Sequence, residues 1–180
     1  IGRWPVRSFL TSCGIAMAAG LIIMTLQWDD SLSHLKRVYF FEAQKQNVMV
    51  GVVDPQALRA NYDFAKLPGV MKSEPMRAVS ADFKVGAKTH RGSISGIQEN
   101  SELQSIYDDD KRVRLDVPDS GLMIASRLAK KLNLKVGDII WVEILEGRRP
   151  SLPIQVNGIF ETYIGLPTYM KLDNLNRILS

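Results

Sequence analysis

The sequence predicts an α+β protein: an N-terminal transmembrane and stalk helix, followed by a domain of two subdomains, a split βαβ layer and a small mixed α/β unit. Three observations predict it. Residues 8–28 carry no charged side chain. Two stretches, 70–97 and 139–163, read as paired strands broken at glycine-containing turns. Between them, Leu122 to Leu134 places apolar residues at helical spacing.

The chain has 180 residues, 46% hydrophobic and 23% charged, with a formal net charge of +4. That suits one medium domain, or a smaller domain with an accessory segment. The basic residues are dispersed among acids, with no basic block interleaved with aromatics, so nucleic acid is excluded as a partner. The one cysteine, Cys13, lies in the apolar N-terminal stretch, leaving the rest of the chain no disulfide to form.

The run Ser8 to Trp28 is 21 residues long, about 31 Å of helix at ~1.5 Å per residue. A bilayer's hydrocarbon core is about 30 Å thick. A buried helix of a soluble protein would rarely run so long without a charge on any face. A cleaved signal peptide would need a small-x-small exit, where this run ends in Leu26, Gln27 and Trp28. A membrane span is the reading that fits. Arg3 and Arg7 precede it and Asp29 and Asp30 follow it, so the N-terminus is expected in the cytosol and everything past Trp28 outside. Lys36 and Arg37, close after the exit, weigh against this asymmetry. Trp4 and Trp28 stand at the two ends, where amphipathic rings favour the headgroup region. Gly14 and Ala18 share a face in a small-xxx-small pattern that lets helices approach closely. Leu32, Leu35, Tyr39 and Glu42 continue the helical spacing with no Gly or Pro between Leu21 and Gln46, which predicts a stalk.

Beyond the stalk, Asn47 to Val53 is a short apolar run, read as a buried strand. Asp54-Pro55 signals a helix start, Leu58, Tyr62 and Ala65 mark one face, and Pro68-Gly69 ends it. Val70 to Val85 and Lys88 to Ile97 read as strands joined at Gly86, and Glu102 to Tyr107 as a short helix. The order strand, helix, strand, strand, helix is that of a split βαβ layer. After the polar turn Asp108 to Arg112 and the turn Pro118 to Gly121, the amphipathic helix carries Ala125, Leu128 and Leu132 on one side and Arg127, Lys130 and Lys131 on the other. Ile139 to Leu145 and Leu152 to Tyr163 are strands joined through Gly147-Arg-Arg-Pro150, and Leu172 to Leu179 closes as a helix. The expected organisation is a lead-in over 1–7, the span over 8–28, the stalk over 29–46, a βαββα subdomain over 47–107, a second subdomain over 108–171 and a return helix over 172–180. The chain opens without Met and stops soon after a domain-like segment, so it is expected to be part of something longer.

The residues offer little chemistry. His34 and His90 lie on different elements without metal-ligand spacing. Asp108-Asp109-Asp110 lacks the glycine and closing glutamate of a calcium loop and is followed by Lys111 and Arg112, the pattern of a solvated turn. No nucleophile-elbow, zinc-protease or P-loop motif occurs, and Cys13 in lipid would be a poor nucleophile. Met71, Met76, Met123 and Met170 could line an adaptable groove, with core filling the default. No catalytic, cofactor-binding or metal-ligating residue is therefore expected, no cofactor, and no enzymatic activity in this chain.

Several segments together resemble the FtsX-like permease family of ABC transporters, the group of macrolide-exporter and lipoprotein-releasing permeases. They are Arg7-Ser-Phe-Leu-Thr-Ser-Cys-Gly-Ile15, Leu67-Pro-Gly-Val70 with Ser73-Glu-Pro-Met-Arg77, Gly121 through Asp138 with its Leu-Ala and Gly-Asp pairs, Gly147 to Pro150, Val156 to Ile159 and Gly165 to Met170. The later segments are most similar to the second repeat of a duplicated permease. The resemblance implies that 47–107 is a porter-like layer in an extracytoplasmic domain between two spanning helices. It also implies a cytosolic ABC-type ATPase subunit as partner, further transmembrane helices of the same permease, and a mechanical role in the cytoplasmic (inner) membrane. The lipid bilayer is then itself a partner. What the family moves differs among its members, and no site residue carries over. The expected function is a permease piece coupling ATP hydrolysis in a partner chain to export or extraction at the outer face. The alternative is a membrane-anchored sensor or binding module, and a membrane-tethered enzyme is disfavoured because no nucleophile or metal spacing occurs.

Overall fold

In the computed structural model, the described residues are 5–37, 44–52, 54 and 56–179. The chain divides into two compact units, Ile1–Phe41 and Glu42–Ser180. The described residues of the first form the helix α1 (Pro5–Arg37, 33 residues), about 50 Å long at ~1.5 Å rise per residue. Its stretch Val6–Trp28 is long and apolar enough to cross a membrane, and none of it is buried. Arg3, Trp4, Tyr39 and Glu42 lie outside the described residues, as do the side chains of Asp29, Asp30 and Leu35.

The second unit is a mixed α/β domain, so the α+β class and the helix-then-domain order hold. Its elements are α2 (Ala60–Ala65), β1 (Arg77–Val85), β2 (Lys88–Ile97), β3 (Ile106–Asp108), β4 (Val113–Leu115), β5 (Leu122–Ala125), α3 (Ser126–Leu132), β6 (Ile139–Ile144), β7 (Ser151–Phe160), β8 (Thr168–Lys171) and α4 (Leu172–Leu179). Six strands close into a barrel in the order β1-β2-β8-β5-β7-β6, and β3 and β4 form a separate ribbon. Pairing is antiparallel except for β2 with β8 and β5 with β7.

The barrel is filled by alternate residues of its strands: Val79, Ala81 and Phe83 from β1, Ile140, Val142 and Ile144 from β6. Leu128 and Leu132 of α3 and Leu175 of α4 join the same cluster. α4 reaches β2 because position 96 is glycine. A Cβ there would sit 2.8 Å from Leu175 Cδ2 and 3.3 Å from the Leu172 Cα. A smaller cluster of Ile97, Ile106, Met123, Ala125 and Phe160 is backed by Leu115 and Val117 of the ribbon side. The ring of Phe160 meets that of Tyr169 at 5.7 Å between centroids.

This topology corrects the division into a 47–107 layer and a 108–171 unit. Strands from both sides of residue 108 share one barrel: Asp82 pairs with Glu143 across β1 and β6, and Ile94 with Thr168 across β2 and β8. Closure leaves no open edge, and every inward residue then meets the same core.

Individual elements shift accordingly. Residues 47–52, expected as a buried strand, are exposed and outside any strand. Val53 and Pro55 lie outside the described residues; the helix expected from Asp54 is limited to α2. Residues 70–76 precede β1 rather than extending it. The helix expected over 102–107 is a turn, a single bridge at Gln104, and β3. Leu122 to Leu134 is not one helix: 122–125 is strand β5, buried on both faces, and α3 follows it. A strand buried on both faces has no polar alternation, so its apolar run merges with that of the adjoining helix. α3 ends at Asn133 in the left-handed conformation (φ 59°), and the Leu134 N–H bonds the Ala129 carbonyl at 2.8 Å. That pattern closes a helix and frees the next residues to turn into β6. α4 occupies the residues expected of the closing helix.

Candidate functional site

Two features stand out from the barrel: the exposed apolar helix α1, and the chain segment through which the second unit begins. In α1, Val6, Phe9, Leu10, Ile15, Met17, Leu21, Ile22, Ile23, Met24 and Leu26 are all exposed. Burying such side chains gains about 1.5–3 kcal/mol each. Leaving all ten in water would forgo more than the ~5–15 kcal/mol by which a domain is normally stable. A lipid environment would remove that cost. Thr11 and Thr25 turn their hydroxyls back to the carbonyls of Arg7 and Leu21, both at 2.8 Å, the back-bond that helical threonines commonly make.

The described part of the second unit opens with Gln44 and Lys45, which dock on residues 103 and 104. Gln44 pairs with Gln104 in an antiparallel bridge, and the Lys45 N–H donates to the Leu103 carbonyl at 2.8 Å. The described residues of 45–71 are largely exposed, with Val48, Met49, Val50, Leu58, Tyr62 and Met71 facing solvent. The segment returns to the same place. Glu74 Oε1 accepts the Glu102 N–H at 3.1 Å, and Oε2 accepts the Leu103 N–H at 3.0 Å and the Ser101 hydroxyl. Lys72 Nζ lies 3.1 Å from Glu74 Oε1 and 2.8 Å from Glu102 Oε2. Hydrogen bonds to a charged group contribute about 1.5–3 kcal/mol each. The Glu74 side chain is only 11% exposed. Burial by itself would raise its pKa, but the Ser101 hydroxyl, the two backbone N–H groups and Lys72 outweigh it and hold the carboxyl below the ordinary glutamate value.

Other residues singled out from the sequence are scattered. His34 has its backbone in α1, and its side chain lies outside the described residues. His90 sits half-buried on β2, with Lys131 Nζ 3.2 Å from its Nδ1. No cluster of three or more His, Cys, Asp or Glu occurs among the described residues. Cys13 is exposed on α1, and the space a Cβ of Gly14 would enter is open. Met123 and Met170 are core residues of different clusters, Met76 is half-buried and Met71 is wholly exposed, so Met71, Met123 and Met170 share no groove.

The acidic turn is a turn, but two of its carboxylates have internal work. Asp108 is 2% exposed, and its Oδ1 accepts the N–H groups of Asp110 at 3.1 Å and Lys111 at 3.0 Å. Asp109 Oδ2 accepts the Tyr163 N–H at 2.6 Å. Only the third, Asp110, is a solvent-facing acid. Glu74 itself was not singled out for any role, since its partners lie 27 to 29 residues away and no local spacing points to them.

No family model matches the sequence, and no curated protein matches it. Among solved structures the chain is similar to the extracellular domain of the noncanonic ABC-type transporter YknZ from Gram-positive bacteria, at 17% identity and a TM-score of 0.45. The match covers 67% of this chain and 64% of that one, so the chain spans a little under two thirds of that structure's length.

Proposed function

We propose that this chain is part of the permease subunit of an ABC transporter, coupling ATP hydrolysis by a cytosolic partner chain to export or extraction of a substrate at the outer face of the membrane. The observation that carries the reading is α1, apolar over Val6–Trp28 and exposed on every face, joined to a folded domain with its own closed core. The permease-like segments of the sequence, from Arg7 through Met170, supply the transporter side of it. The arginines before the span and the aspartates after it support an N-terminus in the cytosol and a barrel outside. In this reading the chain itself performs no catalysis. Its helix moves with others of the same permease when the partner binds ATP, and the outer domain follows.

The test combines topology with partnership. In a Cys13→Ser background, an Asp110→Cys variant in intact cells should react with a membrane-impermeant maleimide. Asp110 is exposed, whereas Asp109 is engaged with Tyr163. Labelling only after lysis overturns the orientation. Purification of the intact protein from its native membrane should bring down a P-loop ATPase whose activity depends on the complex. A protein that purifies without one, and whose deletion leaves efflux and lipoprotein release unchanged, is no permease subunit.

A further inference from the structure

We propose that residues 101–104 form a releasable clasp, with Glu74 as its catch, which sets the position of the 44–73 segment on the barrel without forming part of the barrel's own core.

Four observations converge on it. Both ends of the segment attach to the same short loop: Lys45 to the Leu103 carbonyl and Gln44 to Gln104 at one end, Glu74 to Ser101, Glu102 and Leu103 at the other. The loop is itself braced, since the Gln104 N–H donates to Ser101 Oγ at 3.3 Å, so the hydroxyl that donates to Glu74 also shapes the turn. Next, among the described residues neither hydrophobic cluster contains any residue between 44 and 76. The segment is held by polar contacts at its ends rather than by burial. Third, the segment is tied to itself. Asn61 Nδ2 donates to the Ser73 carbonyl at 3.1 Å while the Ser73 hydroxyl donates to Asn61 Oδ1, which joins α2 to the residue next to the catch. Finally, the Lys72 ammonium at the catch is set between the Glu74 and Glu102 carboxylates, and Arg114 and Asp116 line the same hollow as Ser101 and Gln104.

A polar clasp with no apolar burial behind it opens at little cost to the rest of the fold, because locally stable units are those that bury apolar surface together. A closed barrel keeps its ladder whether the segment is docked or not. The same four residues therefore decide both where the chain enters the domain and where the exposed apolar side chains of 48–71 are presented. Ionised Glu74 offers both oxygens as acceptors to its three donors, whereas protonation turns one of them into a donor. Its carboxyl is held below the ordinary glutamate value, so the clasp is closed above that value and opens as the pH falls through the lower, folded one.

The proposal does not depend on the transport reading, and its test measures no transport. In the full chain in nanodiscs, with Cys13→Ser, spin labels are placed by Met71→Cys on the segment and Thr89→Cys on β2; both sites are exposed. The parent should give one narrow distance. Glu74→Gln, Ser101→Ala and a drop in pH should each broaden or shift it. Amide protection should be lost at Lys45, Glu102 and Leu103 but kept along β1 and β6. An unchanged distance in both variants overturns the proposal. So does loss of protection in β1 and β6 together with the segment, which would make Glu74 part of the barrel's stability.

Discussion

Glu74 and Leu103 meet through a 3.0 Å hydrogen bond from the Leu103 N–H to Oε2, while the Leu103 carbonyl accepts the Lys45 N–H at 2.8 Å. One residue thus holds both ends of the segment from Gln44 to Glu74. Both polar groups of its backbone have partners even though the expected helix over 102–107 does not form. A buried or half-buried backbone must find such partners, and here a carboxylate from 29 residues upstream provides one of them.

The membrane reading predicts a steep response at Met17, near the middle of Val6–Trp28. An arginine at a span centre costs about 2.5–3.5 kcal/mol on insertion scales. Met17→Arg should shift the protein out of the carbonate-resistant membrane fraction, and Met17→Leu should not. Equal extraction of the two variants would remove the basis for calling α1 a span.

Inside the barrel, Thr168 is 1% exposed and its Oγ1 has no hydrogen-bond partner among the described residues. It is paired in register with Ile94 and Ile124, both fully buried. Replacing an unsatisfied hydroxyl by a methyl of the same shape relieves a desolvation penalty of about 1–3 kcal/mol. Thr168→Val should therefore raise the denaturation midpoint, followed by the fluorescence of Trp141. A lower midpoint would show that the hydroxyl is satisfied.

Gly96 carries the opposite expectation. Its missing Cβ leaves the 2.8 Å and 3.3 Å approaches of Leu175 and Leu172, and the 3.3 Å neighbour is backbone. Overpacking of this kind costs about 1–3 kcal/mol. Gly96→Ala should lower stability by that order and loosen α4, read by amide exchange at Leu175 to Leu179. Wild-type exchange there would mean that α4 does not need the close approach.

His90 supplies a pH prediction. Burial first, then the Lys131 ammonium, hold its pKa below the ordinary histidine value. Lys131 donates to Nδ1 at 3.2 Å, so the neutral ring accepts there. The folded protein binds this proton less readily than the unfolded chain. The stability from His90 is therefore present above the unfolded value and is lost as the pH falls through it toward the folded one. Lys131→Met should raise the His90 midpoint seen by NMR of the ring Cε1 proton. A midpoint unchanged by the substitution would mean the two side chains are not coupled.

Parts of this molecule could be read directly from the chain. The long apolar helix is legible because its uncharged run from residue 8 to 28 is a matter of length and composition, and both are local properties. The β1–β2 and β6–β7 hairpins are legible because each is closed by a short turn at Gly86 or Gly147. β5 was hidden inside a predicted helix, since Leu122 to Ala125 is covered on both faces and shows no period to count. Residues 47–52 erred the other way. An apolar composition favours a strand, but a strand needs a neighbour, and the described residues offer these six none.

The sequence by itself determined the helix, the α+β class, and which short stretches prefer to be strands. These are set within a window of about 20 residues by hydrophobic period, turn chemistry and length. Only the tertiary structure decided that strands from both halves of the domain close on one core, and that Glu74 finds Ser101, Glu102 and Leu103. Those contacts join residues far apart in sequence. They form because barrel closure satisfies the backbone of every strand at once and because a nearly buried carboxylate must find donors wherever the fold presents them.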